Sequence, residues 1–399
     1  MIPANDALIT EPTALFAFLA GVLGFVFWLS TVPALRRFFE FLPPVIWAYF
    51  VPMIATTAGV TPDASVVYSW MSRYLLPLSL FLLMITIDLG AIMRLGRVAL
   101  IMMLAGTVGI VIGGPIAYSM FHGLLPPDAW KGLAALSGSW IGGTANMVAI
   151  QQSVGAPDSA LGPIIVVDTV VGYGWMGILI FLSAFQQKFD RWNGADTSAL
   201  EQVEAHMEEI AEERRPAGLG HLSMILGLAF VGTVIALVIG EQLPDVGEPS
   251  VISKTTWAVL VASTVGLVLS FTPVRRLETY GASRIGYVGL YLLLTSIGAR
   301  ANVAAVLDAP VFLMVGVVWI LFHVATLAIA ARLIRAPLFF FAVGSMANIG
   351  AAASAPVVAA AYVPSLAPIG LLLGVFGYIL GIYAALGCAW IFGQLSLIL

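Results

Sequence analysis

The stretch Gly138–Ile150 reads GSWIGGTANMVAI, in a chain of 399 residues that is 60% hydrophobic. Two adjacent glycines, a threonine and an asparagine in the middle of an apolar segment need a physical reason. Irregular backbone at membrane depth is tolerated only where protein or a wet cavity completes its hydrogen bonds. Gly142 and Gly143 permit backbone angles closed to other residues. Thr144 and Asn146 carry donors and acceptors that can close what a break leaves open. The pattern predicts an interrupted helix, either re-entrant or crossing. A second stretch, AVGSMANIGAAAS from Ala342 to Ser354, repeats it.

The rest of the chain says what surrounds these breaks. Mean hydropathy is +1.02 and only 10% of residues are charged, so apolar runs of membrane-spanning length recur along it. Ten are expected to cross, near 14–34, 42–59, 75–94, 98–121, 160–186, 219–240, 255–272, 285–306, 309–331 and 367–396. The fold class is therefore an all-α polytopic membrane protein, with no barrel signature. The single cysteine, Cys388, allows no intrachain disulfide. The first run follows the acidic NDALITEPT, has no basic n-region, and reads as a retained span.

Charge placement orients the chain. With the N-terminus outside and 129–155 and 337–361 as re-entrant hairpins, only Arg73, Lys131 and Lys254 lie outside. Arg300 falls in a span, and the other thirteen of the 17 basic residues lie inside. If both stretches cross, the division is less one-sided. Each half then holds five spans and one hairpin, and an odd number of crossings inverts the second half. Residues 1–187 form a first repeat, 188–217 a charged cytoplasmic linker, and 218–399 a second repeat. Shifts of 202, 205 and 210 residues support this. They bring Gly142, Ala145 and Asn146 onto Gly344, Ala347 and Asn348, then Gly172 and Tyr173 onto Gly377 and Tyr378, then LLMITI (82–87) onto LLLTSI (292–297). Inverted repeats with interrupted helices near the midplane are a signature of secondary transporters. Small residues also serve close helix packing, which is the plainer reading of either motif alone.

A charge inside a span costs roughly 2.5–3.5 kcal/mol on insertion scales, so each needs a role. Asp168, beside Thr169 in GPIIVVDTVVGYG, is read as the ion-coupling carboxylate; a capped buried Asp is the structural alternative. Asp88 is a second coupling candidate, and Arg300 with Asn302 suits a substrate carboxylate. Either charge also reads as a side chain reaching its interface. His323 reads as a neutral packing residue more readily than a proton relay, and Gln151 and Gln152 as lining for a polar path. The substrate site is placed on Gly142, Gly143, Thr144, Asn146, Gly344, Ser345, Asn348 and Arg300. In the linker, Leu200, Val203, Met207 and Ile210 form an amphipathic stretch capped by Ser198 and Glu201. No Walker A, HExxH or CxxC pattern occurs. No enzyme activity, ATP drive, cofactor or metal beyond bound Na⁺ is expected. The expected partners are membrane lipid and a small-molecule or ion substrate, not nucleic acid.

The runs SGSWIGGTANMVAIQQSVGAP, VVDTVVGYGWMGILIF and GSMANIGAAASAPVVAA resemble the YjcL-like family of bacterial integral membrane proteins, across almost the full chain. In plan the chain is similar to inverted-repeat cation/proton antiporters and organic anion transporters, among them citrate, glutamate, ketodeoxygluconate and bile acid carriers. The resemblance implies a scaffold plus a mobile core that holds the hairpins, an elevator-like movement, a homodimer, and the bacterial inner membrane. The chain lacks the paired Asp motif of electrogenic Na⁺/H⁺ antiporters. The expected function is Na⁺- or H⁺-coupled transport of a small organic anion or amino acid. The alternatives are a monovalent cation/proton exchanger without organic substrate, and a structural or regulatory membrane protein whose linker does the work.

Overall fold

A computed structural model of the chain describes residues 7–42, 44–195, 215–246, 253–301 and 309–399. The amphipathic linker stretch and Asn302 lie outside the described residues. In chain order the first half gives α1 (Pro12–Ser30), α2 (Arg36–Phe41), α3 (Pro44–Thr57), α4 (Val66–Ile85), α5 (Leu89–Met93), α6 (Gly96–Phe121), α7 (Ala129–Gly142), α8 (Thr144–Ser153), α9 (Leu161–Leu182) and α10 (Gln186–Asn193). The second gives α11 (Leu219–Gln242), α12 (Lys254–Leu269), α13 (Ala282–Arg300), α14 (Ala309–Ile334), α15 (Leu338–Ile349), α16 (Ala351–Tyr362) and α17 (Ala367–Ile398). Short 3-10 turns join several of them, and no extended strand occurs among the described residues.

Polar residues cap α1, α4, α5 and α12, where the first N–H groups would otherwise be unpaired. The Glu11 carboxylate accepts from the N–H groups of Thr13 (2.9 Å) and Ala14 (2.6 Å), ahead of Pro12 at the first turn of α1. Ser253 and Thr256 form a reciprocal cap on α12. Between caps the sequence is apolar on every face, as lipid contact requires. Along α1 only Leu15, Leu19, Leu23 and Val26 are buried. On α11, Phe230, Val231, Val234 and Val238 are exposed.

Seven of the described helices or joined runs are long and apolar enough to cross a membrane. Of the other expected spans, α3 has 14 residues and an internal Pro52, α12 has 16, and α13 ends on Arg300. The chain also bends by 98° between α12 and the 3-10 run Pro273–Tyr280.

The helices pack as two bundles. In one, α4 lies along α11, α12 and α13, while α3 lies along α13 and α1. Leu78, Phe81, Leu82, Ile225, Ala229 and Ala262 form an apolar cluster inside it. In the other, α6 lies along α14, and α17 lies along α6, α7 and α16. Glycines let the second pair of helices approach closely: a Cβ on Gly113 or Gly114 of α6 would stand 2.6 or 2.3 Å from atoms of Phe322 or Trp319 on α14. The second bundle contains both motifs with which the sequence reading began.

Candidate functional site

The first motif breaks at Gly143. Its N–H still closes α7 onto Ser139 O at 2.7 Å, but its own angles are φ 79° and ψ −175°, and α8 starts at the next residue. Side chains rarely adopt such a φ, which is why glycine stands there. The two arms then fold back on each other. A Cβ on Gly138 would lie 2.7 Å from Asn146 O and 3.1 Å from the Ile150 side chain. In one straight helix, residues 138 and 150 would stand roughly 18 Å apart.

The second motif breaks at Gly350–Ala351, with Ala351 at φ 49°. Its arms also return, since the rings of Phe339 and Tyr362, near opposite ends of the segment, meet edge-on at 6.3 Å. The hairpins are rooted at opposite ends of α9. Gln151 Nε2 at the base of the first donates to Asp158 at 3.0 Å, just before α9 begins. Tyr362 of the second donates to Leu179 O at 2.7 Å, and the Leu338 N–H to the Asp190 carboxylate at 2.7 Å, both at the far end. Their tips meet: a Cβ on Gly143 would lie 3.0 Å from that of Ala351.

A cavity of about 1050 Å³ lies beside these tips, between the two bundles. Gly143, Thr144 and Ala351–Ser354 line it from the hairpins; Asp168, Thr169 and Tyr173 line it from α9. Tyr287 of α13 and Tyr378 of α17 also line it and share a hydrogen bond across it. The Asp168 carboxylate accepts from Ser139 Oγ and Trp140 Nε1, each at 3.0 Å, and pairs with no cation among the described residues. Neither α8 nor α16 has a side-chain cap; in α8 the Asn146 N–H turns back to Gly143 O at 3.0 Å, and those of Thr144 and Ala145 before it have no side-chain cap.

One end of the cavity is open and rich in arginine. Arg94 and Arg284 are exposed there, and Arg275 pairs with Asp88. Glu278 accepts from the Ser283 N–H (2.9 Å) and hydroxyl (2.8 Å). Burial alone would raise the Asp88 carboxyl. The Ala91 N–H and the Arg275 guanidinium outweigh it and hold the group below its ordinary value.

Of the residues singled out from sequence, Gly143, Thr144, Asp168, Thr169 and Asp88 line the cavity. The others lie in packing around it. Gly142 presses on α17, where a Cβ would stand 2.3 Å from Gly377 O. Asn146 Nδ2 donates to Tyr378 O at 3.1 Å. Gly344 lies against the backbone of Met102 and Met103. Asn348 accepts from Thr107 at 2.8 Å and donates to Met103 O at 2.9 Å. Arg300 is held by Asp158 at 3.0 Å and Ser72 Oγ at 2.8 Å, so its guanidinium already has a carboxylate.

Ser345 belongs to a buried chain of hydrogen bonds. Trp175 Nε1 donates to Ser345 Oγ at 2.8 Å. His323 Nδ1 lies 2.9 Å from the Gly106 carbonyl, which can only accept, so Nδ1 carries the proton. Nε2 then accepts from Ser345 Oγ at 2.8 Å. This satisfies a neutral imidazole completely, as a packing role requires.

The sequence reading did not single out Ser139, Trp140, Tyr287 or Arg284. Tyr173 and Tyr378 were visible as a pair in the 205-residue repeat, and both face the cavity.

Residues 17–395 match the family model described as "Protein of unknown function (DUF819)", and the chain belongs to that family. It is 25% identical over 346 residues to the "Uncharacterized membrane protein YjcL" of Bacillus subtilis (strain 168), covering 83% of this chain and 85% of that protein. The family resemblance read from the motifs and these matches agree.

Proposed function

We propose that this DUF819 family member is a secondary active transporter for a small organic anion or amino acid, coupled to Na⁺ or H⁺. One observation carries the reading: two hairpins rooted at opposite ends of α9 touch at their tips beside a cavity that opens at one end. Uncapped helix N-termini attract anions through their free N–H groups and dipoles. The tips at Thr144 and Ala351 therefore suit a substrate carboxylate. Among the described residues Asp168 has hydrogen bonds but no cationic partner, and a carboxylate in such a place favours Na⁺, a proton or a substrate ammonium.

The bundle with α6, α9, α14, α17 and both hairpins would be the mobile core, and the other bundle the scaffold. Matched packing supports the inverted-repeat reading. The α4–α12 contact has its counterpart in α13–α3, and the α6–α17 contact in α14–α9. In this reading the arginine-rich end faces the cytoplasm of an inner-membrane protein whose N-terminus is outside.

The test is flux in proteoliposomes, with carboxylates and amino acids screened under Na⁺ and pH gradients. Gradient-dependent uptake that falls at least about tenfold in Asp168→Asn is the expected outcome. Uptake indifferent to every gradient and to this substitution would sink the proposal. Ion exchange with no added solute would favour the cation/proton exchanger, to which the lone Asp168 also points.

A further inference from the structure

Among the described residues the cavity wall reaches exposed side chains at its arginine-rich end, Arg94 and Arg284, and the same wall shows how deep it runs. Along α13 it is lined by Ser283, Arg284, Tyr287, Tyr291 and Leu294, a depth of roughly 16 Å at the helical rise. Arg300 lies six residues further on, roughly 9 Å beyond the last lining residue. There the two bundles are joined by a polar cluster. Arg300 Nε meets the Asp158 carboxylate at 3.0 Å, and its Nη2 donates to Ser72 Oγ at 2.8 Å. Gln151 Nε2 donates to the other Asp158 oxygen at 3.0 Å, and the Tyr49 hydroxyl to Asp158 O at 3.2 Å.

The partition of these residues matters. Tyr49, Ser72 and Arg300 belong to α3, α4 and α13 of one bundle, whereas Gln151 is on the second arm of the first hairpin and Asp158 just after it, in the other. Both charged side chains are largely withdrawn from solvent, at 24% and 15% exposure. At the open end the comparable pair, Asp88 with Arg275, lies on the α4–α5 junction and the run after α12, and is more exposed, at 35% and 32%.

The geometry points to Arg300–Asp158 as a latch that seals the far end of the cavity while the arginine-rich end is open. It rests on the transporter reading, because a cavity that alternates between faces must close one end before opening the other. The proposal moves Arg300 from substrate contact to control of access. A partly buried ion pair suits this role: removing one partner leaves the other charge unpaired and strongly disfavours the closed contact. Separating both partners into water costs much less.

The experiment reads sidedness. In a Cys388→Ala background, Ala353→Cys places one thiol on the cavity wall. A membrane-impermeant maleimide is applied to right-side-out and inside-out vesicles, and initial rates are compared. The latched protein is expected to react from the arginine-rich side. Arg300→Ala and Asp158→Ala are each expected to raise the far-side rate about tenfold or more. The exchanged pair, Arg300→Asp with Asp158→Arg, is expected to return it toward the parent value. A far-side rate unchanged in both single variants, with the purified proteins monodisperse, would overturn the latch even if both melt earlier, since a merely structural pair lowers stability without altering sidedness. Flux in vesicles of the chain with Ala353 unaltered separates the two ideas. Latch-dependent labelling without flux of solute or ion supports the latch and removes the transporter reading alone.

Discussion

Asp88 and Asp168 are carboxylates on the wall of one cavity, yet they are held in different ways. Asp88 caps α5 through the Ala91 N–H at 2.9 Å and pairs with Arg275. Among the described residues Asp168 receives only neutral donors, Ser139 and Trp140. The first arrangement fixes a charge; the second leaves one to be answered by whatever enters. For Asp88 this has a consequence in pH. Its folded pKa lies below the ordinary 3.8, so the stability it contributes is fully present above that value and is lost as pH falls through the lower, folded one. Thermal unfolding in detergent is expected to show Asp88→Asn melting below the parent at pH 7, with the gap shrinking below pH 4. A gap that stays constant down to pH 3 would mean the charge contributes nothing. The sequence made Asp168 conspicuous, because a lone carboxylate eight residues into an apolar run has few explanations. It did not make Ser139 and Trp140 conspicuous: they lie 29 and 28 residues away, and only the return of the hairpin against α9 brings them to the carboxylate.

At the scale of elements, both hairpins were legible, but their registers were not equally so. Adjacent glycines mark the first break, and the chain turns at Gly143 with a φ open to little else. The second turns at Gly350–Ala351, past the stretch that a 202-residue shift aligns with Gly142–Asn146. Asn146 therefore lies on the arm leaving its tip, and Asn348 on the arm approaching its own. Runs of Gly and Ala match one another at several offsets, so composition located the hairpins without fixing where they bend. What then holds a hairpin at depth is contact with its neighbours. A Cβ on Gly142 would stand 2.3 Å from Gly377 O and 1.9 Å from Asn146 Nδ2, so the first hairpin cannot sit on α17 unless this residue is glycine. Gly142→Ala is expected to cost about 1–3 kcal/mol by forcing backbone apart. Gly177→Ala on α9, where among the described residues no atom outside the helix's own neighbouring backbone would lie within 4 Å of the new Cβ, is expected to stay within about 0.5 kcal/mol. Equal melting temperatures for the two variants would refute the close approach.

At the scale of the whole molecule, two bundles face each other across a cavity and touch through few polar pairs besides the latch. Thr264 of α12 meets the Tyr383 hydroxyl of α17 at 2.8 Å, and Tyr287 of α13 meets Tyr378 of α17. Each pair joins the proposed scaffold to the proposed core. By contrast, Arg73 and Glu241, 2.5 Å apart, join α4 to α11 inside the scaffold. An elevator needs the first kind of contact to slide and the second to stay. This difference can be tested in the Cys388→Ala background, with thiol pairs bridged by a short, reducible bifunctional reagent. Bridging Thr264→Cys to Tyr383→Cys is expected to stop uptake, and reduction to restore it. Bridging Arg73→Cys to Glu241→Cys is expected to leave uptake at its unbridged rate, because both ends ride on one body. If transport runs with the bundles tied together, the core does not move against the scaffold. The meeting hairpin tips would then have to exchange access by bending at Gly143 and Ala351 alone, a local movement for which the touching tips leave little room.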